Sequence, residues 1–311
     1  VHDVVKFIEA GNGMTLSALC RIFSRLLIVW GLTFPAQAAE ALLRPYVLSS
    51  DVQGDMVKTI IELKEALTAA GFQLLGEYSP VADRHVLVVT NAYLKRLARQ
   101  EVGALFALPQ RIGITQVEGK IQVAYTNPAY QQYAFRISGD LDPVRLQLKR
   151  ILGEQETFGS KGLSAAVLAS YRYASGMEQF DDFLHLGRFG SHAQALEAVE
   201  RGLAARRGGI SPVFRVDISG AAIALFGLSL AEGEGSDRAI ISAVDIRPLK
   251  HTPRFPYTLV VRQGEVFVLH PRFRLPLDFP DLERTGRYSF TAMIRVPGAI
   301  ENSLRSLLGG G

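Results

Sequence analysis

Apolar residues recur at helical spacing in two separate stretches of the chain. Met56, Ile60, Leu63 and Leu67 make one stripe behind the N-cap residue Asp55, and Gly71 ends it. Leu196, Val199 and Leu203 make the other behind a Ser191/Gln194 capping pair, with Gly208-Gly209 as its stop. On both sides of each helix the period changes from 3.6 to two. The alternation predicts strands near residues 44–50, 73–80, 84–90, 111–117 and 120–126 in the first half, and near 180–188, 213–219, 222–230, 257–262 and 265–270 in the second. Short helices are predicted over 94–100 and 236–243. Amphipathic helices close each half, with Val144, Leu148, Ile151 and Leu152 in one and Ile300, Leu304, Leu307 and Leu308 in the other.

The same order of elements therefore occurs twice. Equivalent features are 136 positions apart at the helix starts, 145 at the hairpin glycines Gly119 and Gly264, and 156 at the closing helices. A separation that grows in steps is what loop insertions into the second copy produce, and "AEGEGSD" (231–237) is one such insertion. The pattern predicts an α+β chain of two tandem β-α-β4-α units, residues 39–153 and 177–311, joined by a linker with a short helix over 154–176.

Residues 1–38 read differently. Arg21 and Arg25 precede an apolar run over 26–34, and Ala36-Gln37-Ala38 follows as a small-x-small site, which predicts a secretory signal peptide cut after Ala38 behind an upstream extension. The run has nine residues, whereas a spanning helix needs about 20, so no stable membrane anchor is expected after cleavage. A periplasmic or secreted chain follows. Cys20, the single cysteine, leaves with the signal, so the remaining chain has no route to a disulfide, a thiolate nucleophile, an iron-sulfur cluster or a c-type haem. Export without cysteine leaves the 48% hydrophobic content to hold the fold.

The net charge of +4 is scattered, with short basic clusters only at Lys95-Arg96, Lys149-Arg150 and Arg206-Arg207, which argues against nucleic acid as a partner. There is no Gly-x-Ser-x-Gly, Walker loop, His-Glu-x-x-His or dinucleotide fingerprint, so no motif implies a nucleotide or other cofactor. Chemistry is instead sought at the hairpin whose turn is Gln263-Gly264. Counting outward pairs Arg262 with Glu265, Val261 with Val266, Leu259 with Val268 and Tyr257 with His270. The candidate polar residues are His251 and His270 at its ends, with Asp181 and His185 on one side of the 180–188 strand.

The opposite face of this hairpin is apolar. Thr258, Val260, Phe267 and Leu269, with Tyr257 beside them, form the candidate ligand or partner face, and leaving the large side chains wet would forgo roughly 1.5 to 3 kcal/mol each. The first unit's sheet, a second copy of the chain or an apolar small molecule should cover them. The equivalent face of the first unit carries Lys120, Gln122 and Ala124 with Gly113 and Thr115, which suits water or a small ligand.

The Gly-turn hairpins followed by "TNP" and "LHP", the helix end "EALTAAGF", and above all "YRYASGMEQFDDF", "KHTPRFPYTLVV" and "RFRLPLDFPDL" resemble the domain-of-unknown-function family 302. The resemblance implies a curved antiparallel sheet with two helices on one side, similar in outline to TATA-binding-protein-like folds. It also implies that two fused copies form an internal pseudo-dimer, and it brings no catalytic residues. The expected function is an exported, non-enzymatic binding protein for an apolar or amphiphilic small molecule or a protein partner. The alternative is a metal-dependent or acid-base enzyme using the histidines of the second unit.

Overall fold

The computed structural model describes residues 41–280, 282–283 and 285–309. The predicted leader lies outside them. The first half runs β1 (Tyr46–Gln53), α1 (Met56–Ala69), β2 (Gln73–Tyr78), β3 (Arg84–Thr90), α2 (Ala92–Gln100), α3 (Val102–Ala107), β4 (Gln110–Val117), β5 (Lys120–Thr126), α4 (Pro128–Ala134) and α5 (Asp142–Leu152). A short β6 (Glu156–Phe158) and α6 (Ala165–Ala169) lead into the second half. There β7 (Leu184–Arg188), α7 (His192–Ala204), β8 (Ile210–Asp217), β9 (Ile223–Leu230), α8 (Asp237–Val244), β10 (Tyr257–Arg262), β11 (Glu265–Val268), α9 (Pro271–Asp278) and α10 (Val296–Leu307) follow.

Two antiparallel sheets result, which makes the fold α+β as expected. One has the order β2-β3-β4-β5-β1-β6 and the other β8-β9-β10-β11-β7, so the first five strands match position for position. Local chemistry explains the starts and turns. Asp55 caps α1 by accepting from the Lys58 amide at 2.7 Å, and Ser191 caps α7 from the Gln194 amide at 3.2 Å. Both hairpin turns put two residues in the left-handed region, Glu118 and Gly119 in one, Gln263 and Gly264 in the other, which matches the twist of the flanking strands. The second hairpin pairs Arg262 with Glu265, Val261 with Val266 and Leu259 with Val268.

Each sheet buries one face under helices. In the first, Ile112, Ile114, Ile121, Val123 and Tyr125 form the core row, with α1 against β2 and β4 and α5 behind it. In the second, Leu259, Val261, Val266 and Val268 form the row, with α7 and α10 over it. The remaining faces turn toward each other. Strands β2 and β8 lie side by side at the junction, so close that a Cβ on Gly76 would sit 2.3 Å from the Val213 carbonyl oxygen.

Three differences from the sequence reading shape the site. The segment read as a linker supplies β6, which pairs with β1, and a further bridge between Leu43 and Leu163. Strand β7 starts at Leu184 rather than near 180, because Phe180 and Phe183 turn inward to an aromatic cluster with Phe106. Strand β11 stops at Val268, because Pro271 starts α9 and His270 becomes its N-cap.

Candidate functional site

The apolar face of the second hairpin is covered by the chain itself. Tyr257, Thr258, Val260, Phe267 and Leu269 are all buried. The Phe267 ring lies 6.3 Å from Phe106 of the first half and 5.1 Å from Phe183. Thr258 accepts a hydrogen bond from Arg111 of β4 at 2.6 Å, and the Tyr257 hydroxyl donates to the Leu269 carbonyl at 2.7 Å. Thr258 and Leu269 also border a small cavity between the halves.

The four polar residues go to separate surroundings. His270 accepts from the Arg272 amide through Nδ1 at 3.1 Å and holds Nε2 3.8 Å from Glu178. Asp181, exposed, pairs with Arg136 of the first half. His185 is on the exposed side of β7, its ring 5.9 Å from Phe267. His251 alone is buried. A metal-dependent reading requires these side chains to converge, and they do not; among the described residues no three His, Cys, Asp or Glu side chains are grouped to hold a metal ion. The helical start at Pro271 and the inward turn at Phe180 and Phe183 are the reasons, since they take His270 and Asp181 off the strands assumed for them.

His251 sits in an aromatic cage. Its ring is 4.7 Å from Phe279, edge-on, 5.1 Å from Tyr46, and 5.9 Å from Phe158, nearly parallel. Below it lies a buried polar layer between the halves. Arg84 of β3 pairs with Asp245, whose two oxygens are each 3.1 Å from the His251 amide. The His251 Nδ1 atom is 3.5 Å from Asp245 Oδ1, yet it is buried without a hydrogen bond. Burial is the dominant influence on the ring and pushes its pKa down to about 4, against the pull of Asp245. It is therefore neutral at pH 7.

The second half's loop is clamped onto the first sheet at the face expected to suit water or a ligand. Gln122 donates to the Pro248 carbonyl at 2.9 Å and accepts from the Lys250 amide at 3.2 Å, and Thr115 shares a 2.6 Å hydrogen bond with Thr252. Gly113 makes room, because a Cβ there would lie 2.8 Å from Thr252 and 2.9 Å from Pro253. On the solvent side of this clamp are two hollows of about 390 and 320 Å³, which share Gly159, Arg247 and His251 in their walls. Phe158 and Leu249 line the larger; Val244 and Phe279 line the other.

A third, smaller cavity lies deeper, between the halves. Arg111, Arg254 and Arg274 line it together with Asp278. Neither these residues nor the Arg84–Asp245 pair was singled out from the sequence. A signal existed: Arg254 stands between prolines in "TPRFP", and Arg274 interrupts the apolar run "FRLPL", where an unbalanced charge needs a reason.

No family model matches the chain, and no curated protein does. Among solved structures it is similar to the crystal structure of an uncharacterized conserved protein, DUF302, from Bacillus stearothermophilus. That similarity has 19% identity, covers 34% of this chain and 94% of the other, and has a TM-score of 0.31.

Proposed function

We propose that this is an exported, non-enzymatic binding protein, built from two copies of one α+β unit, that holds an amphiphilic small molecule in the hollows beside His251. The duplication is supported by the shared five-strand order and by the stepped offsets in the sequence. The observation that carries the ligand reading is the wall shared by the two hollows. A neutral imidazole in an aromatic cage offers an apolar floor, while Arg247, exposed at the rim, offers a charge for an anionic head.

An acid-base enzyme is the second reading, because Asp245 lies beside His251. Two facts weigh against it. Asp245 is already engaged by Arg84 and the His251 amide rather than orienting the ring nitrogen, and a group with a pKa near 4 is a weak base at neutral pH and has no proton to give.

Titration with a dansyl-tagged long-chain fatty acid tests the ligand reading. The wild-type chain should bind about one equivalent, and Arg247→Glu should weaken binding about tenfold, ~1.4 kcal/mol. Unchanged dansyl emission up to the solubility limit removes the proposal. Export has its own check: N-terminal sequencing of the chain from the periplasm or medium should begin at Ala39.

A further inference from the structure

The cavity between the halves has an excess of positive charge. Arg111 comes from β4, Arg254 from the 3-10 turn Thr252–Arg254, and Arg274 from α9; each is only 4–6% exposed. Guanidinium groups stay protonated in proteins, so three buried cations meet here. Asp278 is the one carboxylate within ion-pair distance among the described residues, at 3.2 Å from Arg254 and 3.5 Å from Arg274. Asp245 is occupied by Arg84, and Asp237 by the Tyr78 hydroxyl at 3.0 Å. Among the described residues, two positive charges are left without a carboxylate.

The donors are unevenly satisfied. Arg111 donates to Thr258 and, at 3.3 Å, to the Pro109 carbonyl, but its Nε is buried with no partner. Arg274 gives Nη2 to the Arg254 and Pro256 carbonyls and lies 4.0 Å over the Tyr257 ring, while its Nη1 is buried with no hydrogen-bond partner. Burial first, and Arg274 next, push the Arg111 pKa down to about 9, the direction expected of a cation lacking its counter-ion. Unpaired charge in a dry interior costs several kcal/mol, so a fold that retains two such charges gains from an anion between them.

We propose that Arg111, Arg254 and Arg274 hold a small divalent oxyanion, of the phosphate or sulfate type, between the two halves of the chain. The cavity has a volume of about 40 Å³, which is room for a few heavy atoms and not for a nucleotide or a lipid chain. Guanidinium forks match the spacing of oxyanion oxygens, and a dianion cancels the whole surplus where chloride cancels half. Because the binding groups come from both halves, the anion acts as a joint. This site is separate from the hollows beside His251, so each proposal can fail alone.

The test uses the full chain, dialysed into an anion-poor zwitterionic buffer, with thermal unfolding and calorimetric titration against sodium phosphate, sodium sulfate and sodium chloride. Phosphate or sulfate should bind with one equivalent and raise Tm by about 5 °C at a hundredfold excess over Kd, with chloride much weaker at equal ionic strength. Arg111→Met should weaken oxyanion binding at least tenfold. Without oxyanion, the same variant should be as stable as the wild type or more so, a result that a merely structural arginine would not give. Ion chromatography of denatured wild-type protein provides a readout that needs no variant and should find one oxyanion per chain before dialysis. Equal responses to all three salts, or a chain that neither carries nor binds phosphate or sulfate, would overturn the proposal.

Discussion

Replacing His251 by Phe separates a buried neutral ring from a titrating one. The native ring has a pKa of about 4 against an ordinary value of 6.5, so between those values the unfolded chain binds a proton that the native chain refuses. Stability carried by this group is therefore complete above about pH 6.5 and is lost as the pH falls toward 4. At pH 5 the loss amounts to about 2 kcal/mol, and it vanishes in the Phe variant, which has nothing to protonate. His251 Nδ1 has no hydrogen bond to forfeit, and any packing cost of the larger ring is the same at both pH values. Urea unfolding of both proteins at pH 7.5 and pH 5 measures the difference of differences. The expected outcome is that the wild type loses about 2 kcal/mol more than His251→Phe between the two conditions. A parallel decline, within about 0.5 kcal/mol, would show that Asp245 holds the proton on the native ring, and the acid-base reading would regain its ground.

Asp237 should behave with the opposite sign. Burial raises its pKa to about 6 from 3.8, so the native chain holds a proton that the unfolded chain releases, and stability falls as the pH rises through that window. Asp237→Asn keeps an acceptor for the Tyr78 hydroxyl; it should gain up to about 3 kcal/mol on wild type between pH 4 and pH 7.5, and pH-series urea melts showing no gain contradict this. At the sheet junction, Gly76→Ala drives a methyl against the Val213 carbonyl and should cost about 1–3 kcal/mol. Gly298→Ala on α10, with nothing within 4 Å, is its control and should be neutral or stabilising by up to about 1 kcal/mol. Equal urea midpoints for the two variants would mean that β2 and β8 are not held this tightly.

What could be read from the sequence was whatever is decided within about fifteen residues. The Gln263-Gly264 turn fixes its own register, because a two-residue turn with both residues left-handed leaves no freedom for a slip. Helices α1 and α7 have one apolar stripe and a capped start. Helix α3 has no stripe to find, since Gly103 to Ala107 are buried on every side, and α9 carries Pro276 and a buried arginine, which together read as a turn. The site was harder for a different reason. The need to cover Val260 and Phe267 could be deduced from area alone, but Phe106, which packs on Phe267, lies 161 positions upstream, and no local pattern names it. His251 is visible in the sequence as a histidine, whereas its Asp245 neighbour and its aromatic cage come from four separate segments.

The covalent connection between the halves has a consequence for what kind of seam they can tolerate. Two independent chains meeting through the Phe106–Phe267 contact would also have to desolvate Arg84–Asp245, three arginines and a single Asp278, which offsets part of the gain from burial. Joined by residues 159–183, the halves meet at an effective concentration in the millimolar range for a short tether, whatever the dilution of the protein. Encounter becomes a first-order event. The seam is thereby released from having to be sticky, and can keep polar and charged groups that a self-associating surface would have to give up.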